Sequence, residues 1–127
     1  MVKLTNREAS GFVSPVIVEL FNSKDRRFPI KDAFRIAEMI QDIQKKFKIA
    51  QDQTRFIIES GGGKIHEDGR VEYKTFEDQK NATEKLEELD GIVVSIPGEK
   101  IEQKDSWPDL SVQEAYLLKP IIKFGDD

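Results

Sequence analysis

The sequence predicts an α+β domain: a helical hairpin with one long central helix, a small antiparallel β-sheet and two shorter helices packed across it. Three observations predict it. From Pro29 to Ser60 the chain carries an unusually long helical pattern, well above the about 10–14 residues of an ordinary globular helix. Strand signals flank the Asp-Gly turn pair in Glu67-Asp68-Gly69, and a β-branched run stands at Ile92-Val93-Val94-Ser95-Ile96. Thr5 with Glu8, Thr75 with Asp78 and Ser111 with Glu114 each show the spacing of a helix-starting capping box.

Taken in order, Thr5 and Glu8 open a first helix whose apolar face is Ala9, Phe12, Val13, Val16, Ile17 and Leu20, at three- and four-residue steps. Pro15 interrupts it, and the clash of its ring with the Gly11 carbonyl predicts a kink between Gly11 and Pro15. Asn22 to Arg27 reads as a polar loop, and Phe28-Pro29 puts a proline where the long helix begins. Within that helix Ile36, Ile40, Ile43, Phe47, Ala50, Thr54 and Ile57 alternate by four and three, an a/d seam of roughly three heptads. An unbroken helix of this length spans roughly 46 Å at about 1.5 Å per residue. The apolar phase is less clean over Lys45–Ile49, which leaves a break there open.

Gly61-Gly62-Gly63 caps the long helix, and three glycines where one suffices suggest a mobile joint to the next element. Lys64–Glu67 and Arg70–Tyr73 read as a hairpin. A helix then runs from Thr75 to about Leu89 with Phe76, Ala82, Leu86 and Leu89 on its apolar side, closed by Asp90-Gly91. After the Ile92–Ile96 strand, Pro97-Gly98 turns the chain so that Glu99–Glu102 can return antiparallel to it. Ser111 and Glu114 start a short helix stopped by Pro120, and Ile121–Phe124 forms a last edge strand or apolar clasp. The whole reads as one domain over 1–127, with a helical hairpin in 1–60 and the hairpin, helix, strands and short C-terminal helix in 64–127.

Composition narrows the function classes. Charged residues are 35% and apolar residues 38%, and the apolar ones sit in periodic blocks, which argues for a folded chain. No apolar run approaches the roughly 20 residues of a bilayer span, and Met1–Glu8 lacks the apolar stretch of a signal peptide. The absence of cysteine removes disulfides, thiolate nucleophiles and Cys-type zinc sites, and fits a cytoplasmic setting. The net charge of −4 is uneven: residues 1–60 hold 11 Lys/Arg against 8 Asp/Glu, whereas residues 61–127 hold 9 against 16. Such asymmetry steers partners, and without a dense basic stripe it argues against nucleic acid as the main ligand.

No catalytic constellation emerges. His66, the only histidine, has no Ser or Cys nucleophile nearby and reads as a surface residue of the hairpin. Gly61-Gly62-Gly63-Lys64 follows a helix instead of opening one, so it reads as a cap and not as a phosphate loop. Glu67, Asp68 and Glu72 lack the alternation of a calcium loop, and Glu84, Glu87, Glu88 and Asp90 read as a solvated helix face. The candidate basic patch is Lys24, Arg26, Arg27 and Arg35, which reads either as a solvated loop or as a site for an acidic partner. The candidate interface residues are Ile36, Ile40, Ile43 and Phe47 on the seam, together with Trp107. The last is either a partner-binding anchor or a plug at the end of the core.

Several of these segments come in a recognisable order: Lys3-Leu4-Thr5-Asn6-Arg7-Glu8, Phe28-Pro29 before a long helix, Glu67-Asp68-Gly69, then Phe76 ahead of Leu86-Glu87-Glu88-Leu89, a short strand, and Leu110-Ser111 opening a last helix. The chain thereby resembles a family of small tailed-phage and prophage proteins without assigned activity, often encoded among virion and assembly genes. It differs from that pattern in Pro15 and in a longer Val93–Lys104 stretch. The resemblance implies no catalytic residue and no cofactor. It implies a phage-encoded, non-enzymatic binding or virion-assembly protein, located in the host cytoplasm or the virion, with virion components among its protein partners. The seam must be covered by the chain's own first helix and C-terminal elements, by a second subunit, or by both, and it adds the expectation of a homo-oligomer. The alternative is a phage-encoded inhibitor that binds and occludes a host enzyme or nucleic-acid machine through the acidic C-terminal half.

Overall fold

The computed structural model describes residues 1–125 and is an α+β fold. Its spine is helix α3, Ile30–Ser60, continuous for 31 residues through Lys45–Ile49. Pro29 is its N-cap, extended at ψ 143°, and the Pro29 carbonyl accepts from the Ala33 N–H at 2.8 Å. Asp32 sits in the first turn, where a carboxylate complements the helix dipole. At the other end the Gly61 N–H donates to the Ile57 carbonyl, and Gly62 adopts φ +86°. A Cβ on Gly63 would lie 2.7 Å from Ile58 Cγ2 and 2.8 Å from Tyr73 Cε1. The glycines expected to form a mobile joint thus meet requirements of backbone sign and close packing.

The N-terminal segment departs from expectation. The Thr5–Glu8 capping box forms, but it opens only α1, Asn6–Ser10, followed by a 3₁₀ turn over Gly11–Val13. Pro15 does not kink a helix; it is the first residue of α2, Pro15–Asn22. Its missing N–H costs nothing at that position, and its ring disfavours helical backbone at Ser14, which is extended at φ −74°, ψ 150°. Before α1, Val2–Thr5 is a strand, β1, with Val2 and Leu4 buried and Lys3 exposed.

Three two-stranded ladders replace the single small sheet. β1 pairs antiparallel with β4, Val93–Ile96, in the register Val2↔Ile96 to Thr5↔Val93. β2, Gly63–Ile65, and β3, Val71–Tyr73, form the expected hairpin, with Gly69 at φ +89° in its turn. β5, Ile101–Glu102, does not return onto β4. It pairs in parallel with β6, Ile122–Lys123, because the chain between them crosses over through α5, Val112–Leu118. Ser111 and Glu114 form their capping box at the start of α5. Helix α4, Phe76–Asp90, is N-capped by Thr75 and turns Ala82 inward with Leu86 and Leu89 half-buried. Phe76, expected on that side, is 80% exposed.

The centre of the α3 seam is covered by its own chain, and the rest of it in part. Ile36 and Ile43 are fully buried, Ala50 is buried, and Ile40 and Phe47 are half-buried against the same core. α1, the 3₁₀ turn and β4 lie along α3, and β2 and α4 pack on it as well. Ile36 and Ile43 are therefore closed to a second subunit, and of the 36–57 seam only the half-buried residues such as Ile40 and Phe47 are open to one. Among the described residues, no helix is long and apolar enough to cross a membrane. Replacing Ile43 with alanine should destabilise the fold by about 2–5 kcal/mol in urea titration without changing the mass in solution. A drop in mass with stability retained would contradict intrachain burial of the seam.

Candidate functional site

Two ionic contacts fix the connection between α2 and α3. Arg26 makes a two-pronged pair with Glu114: Nη1 donates to Oε2 at 2.8 Å, Nη2 donates to Oε1, and Nη2 also donates to the Asp109 carbonyl at 2.7 Å. Glu114 reaches this position because it is the third residue of α5, where it also accepts the Ser111 N–H. The second contact centres on Asp32, buried to 2% exposure. Its carboxylate accepts from Lys104 Nζ at 2.9 and 3.0 Å and from the Trp107 indole N–H at 2.8 Å. Phe21 stacks on Phe28, and Phe28 meets Trp107 edge-on, each pair at 5.1 Å between ring centroids.

These contacts reassign several sequence candidates. Trp107 is buried and is a plug of the core, with no face left for a partner. The four residues of the basic patch do not act together. Arg26 is neutralised by Glu114, and the Arg27 Nε donates to the Lys24 carbonyl at 3.1 Å. The Arg35 charge adds to the field that keeps Asp32 ionised. Lys24, Arg27 and Arg35 remain exposed. His66 is half-buried in the hairpin, 3.2 Å from Glu72 Oε2 but not aligned for a hydrogen bond.

The open feature of the surface lies where α2 and α3 diverge. α2 packs on α5 and the 3₁₀ turn, and along α3 it leaves a hollow of about 400 Å³ lined by Val18, Phe21, Ala33, Ala37 and Ile40. A second hollow of about 460 Å³ shares Phe21 and Ala33 with it and is bordered by Phe28, Ile30, Phe34 and Arg27. The two hollows of this groove adjoin at Phe21 and Ala33; both are mainly apolar, with Asn22, Gln41 and Gln44 also lining the first and Arg26 and Arg27 the second. Ile30 is 88% exposed and Phe34 64%. Of the seam residues, Ile40 opens onto this groove. Sequence reading missed Ile30, Phe34 and Val18 as surface features. The available signal was that Ile30 and Phe34 fall off the a/d seam, on the other side of the helix.

Such a groove offers apolar contact and one fixed charge, the chemistry of helix-in-groove recognition. Among the described residues no group of three or more His, Cys, Asp or Glu side chains is placed to hold a metal ion. Comparison with protein-family models, with curated proteins and with solved structures finds no match.

The ionic contacts have a pH signature. The Arg26 hydrogen bonds, helped by Ser111 and opposed by burial, hold the Glu114 carboxyl down to about 2 from an ordinary 4.5. The Trp107 indole and then Lys104 lower that of Asp32, again against burial. Both groups bind protons more weakly folded than unfolded, so their stabilisation is complete above the ordinary carboxylate range and is lost as pH falls. Urea unfolding should show stability declining between about pH 4.5 and about pH 2. Glu114→Gln should be less stable at neutral pH and should decline less steeply; an unchanged slope would contradict this assignment.

Proposed function

We propose that the chain is a non-enzymatic binding protein that works through protein–protein contacts, using the α2/α3 groove to take an apolar helical segment of its partner. The observation that carries this reading is the exposure of Ile30 and Phe34 beside two adjoining, mainly apolar hollows. Bulky apolar side chains left at such a rim contribute nothing to the fold, and clustered exposure of this kind marks interaction surfaces. Ile30 and Phe34 stand one helical turn apart, the spacing at which two anchors can grip one partner helix. Arg27 at the groove's end favours a carboxylate on that helix.

The biological setting we propose is the one implied by the resemblance to small tailed-phage proteins: a phage-encoded factor whose partners include virion components. The surface supporting the inhibitor reading is different. It is α4, where Glu84, Glu87 and Glu88 are exposed along with Phe76. An inhibitor acting there would depend on α4 and be indifferent to the groove.

The test replaces both groove anchors, Ile30→Asp with Phe34→Asp. Because both side chains are exposed, the melting temperature should stay within a few degrees of the parent, while association with assembly intermediates or purified particles is lost; each anchor is worth about 2 kcal/mol or more of binding. Equal association by parent and variant would overturn the groove. Loss on Phe76→Asp instead, with the groove variant intact, would favour occlusion of a host target by α4.

A further inference from the structure

Away from the groove, four lysines come together around one hollow. Lys3 projects from β1, Lys100 precedes β5, Lys119 follows α5 and Lys123 lies on β6. All four line a concavity of about 400 Å³, with Pro120, Ile122 and Phe124 completing its wall. All four are exposed. Three of them belong to the half of the chain that holds 16 acidic residues against 9 basic ones.

Among the described residues Lys104 on Asp32 is the lysine that forms an ion pair; these four stand apart from the other unpaired lysines because they share one hollow. Lys119 instead rests over the Tyr116 ring, 4.4 Å from its centroid. Among the described residues, the acidic ones nearby are engaged or offset. Glu8, the single carboxylate in the lining, caps α1 by accepting from the Thr5 N–H at 2.9 Å. Glu99 pairs with the N-terminal ammonium at 3.1 Å. Glu102 is the ladder partner of Lys123 across β5 and β6 but closes no ion pair with it. Like charges gathered at a concave surface repel one another, and a multivalent anion placed between them converts that repulsion into attraction.

We infer that this hollow is a binding site for a small anion with two or more linked phosphoryl groups. Lysine is well suited to such a ligand, because its ammonium is a compact charge with three donors on a flexible stem, able to follow the oxygens of a phosphate chain. The volume lies within the roughly 300–1,000 Å³ of small-molecule sites, and the half-buried Phe124 gives an apolar face beside the cations. The β1–β4 ladder holds the backbone of Lys3 and the β5–β6 ladder that of Lys123.

Titration of the whole protein with sodium triphosphate, ATP and adenosine, read by amide chemical shifts and calorimetry, tests the inference. Triphosphate and ATP should bind and shift amides around Lys3, Lys100, Lys119 and Phe124; adenosine should not bind. Tighter binding of ATP would identify a nucleotide, and equal binding the phosphate chain alone. Lys3→Gln with Lys123→Gln should keep the melting temperature and weaken binding by roughly tenfold or more. The same pair of changes at Lys64 and Lys85, exposed on β2 and α4, should leave binding unaltered. No saturable binding at millimolar triphosphate, shifts spread evenly over the surface, or equal weakening by the Lys64/Lys85 variant would overturn it.

Discussion

Ile36, Ile43, Ala50 and Ile58 stand buried along a helix roughly 46 Å long, and keeping them out of water is the constraint on which the other elements depend. No single short helix can cover such a length, so the cover is divided among several elements. β4, α1 and the 3₁₀ turn lie on α3, and so do β2 and α4. The three small ladders follow from this division. Each is too short to stand as an independent sheet, and β2 and β4 bring two of them onto α3.

The same constraint leaves one part of α3 uncovered. α2 is only 8 residues long and begins at Pro15, so it is set by that break and by its packing on α5. Arg26 on Glu114 then ties the α2–α3 connection toward α5, and Asp32 holds Lys104 and Trp107 at the start of α3. With both ends of the connection fixed in this way, α2 diverges from α3, and the groove is the space between them. In both pairs the carboxylate is buried and the cation reaches solvent, and removing the cation would leave a buried charge stranded. Their role here is to select one path for the chain, and the groove is a consequence of that path.

Much of this was legible in the sequence wherever a local rule sufficed. The capping boxes at Thr5 and Ser111, the N-cap at Thr75, the Asp-Gly hairpin and the extent of the long helix all rest on interactions a few residues apart. What was not legible depends on partners distant in the chain. Val2–Thr5 looks like the approach to a helix until β4, some 90 residues later, supplies its ladder. Ile101 pairs with Ile122 only because α5 carries the chain across. Trp107 reads equally as an anchor or a plug until the Asp32 carboxylate receives its indole N–H. The seam was legible as a face to be buried, but heptad spacing is silent on which chain buries it. The lysine hollow was invisible because each of its cations is isolated in sequence, and the groove because its rim residues lie off the periodic face.

The burial of Ile36 and Ile43 rests on cover from their own chain. Amide hydrogen exchange across a dilution series, with mass followed in parallel by light scattering, tests that cover most directly. Amides from Ile36 to Phe47 should stay protected to the same degree at every concentration, because their cover is intramolecular. Protection over that stretch that falls on dilution, in step with falling mass, would show instead that a second subunit buries the seam.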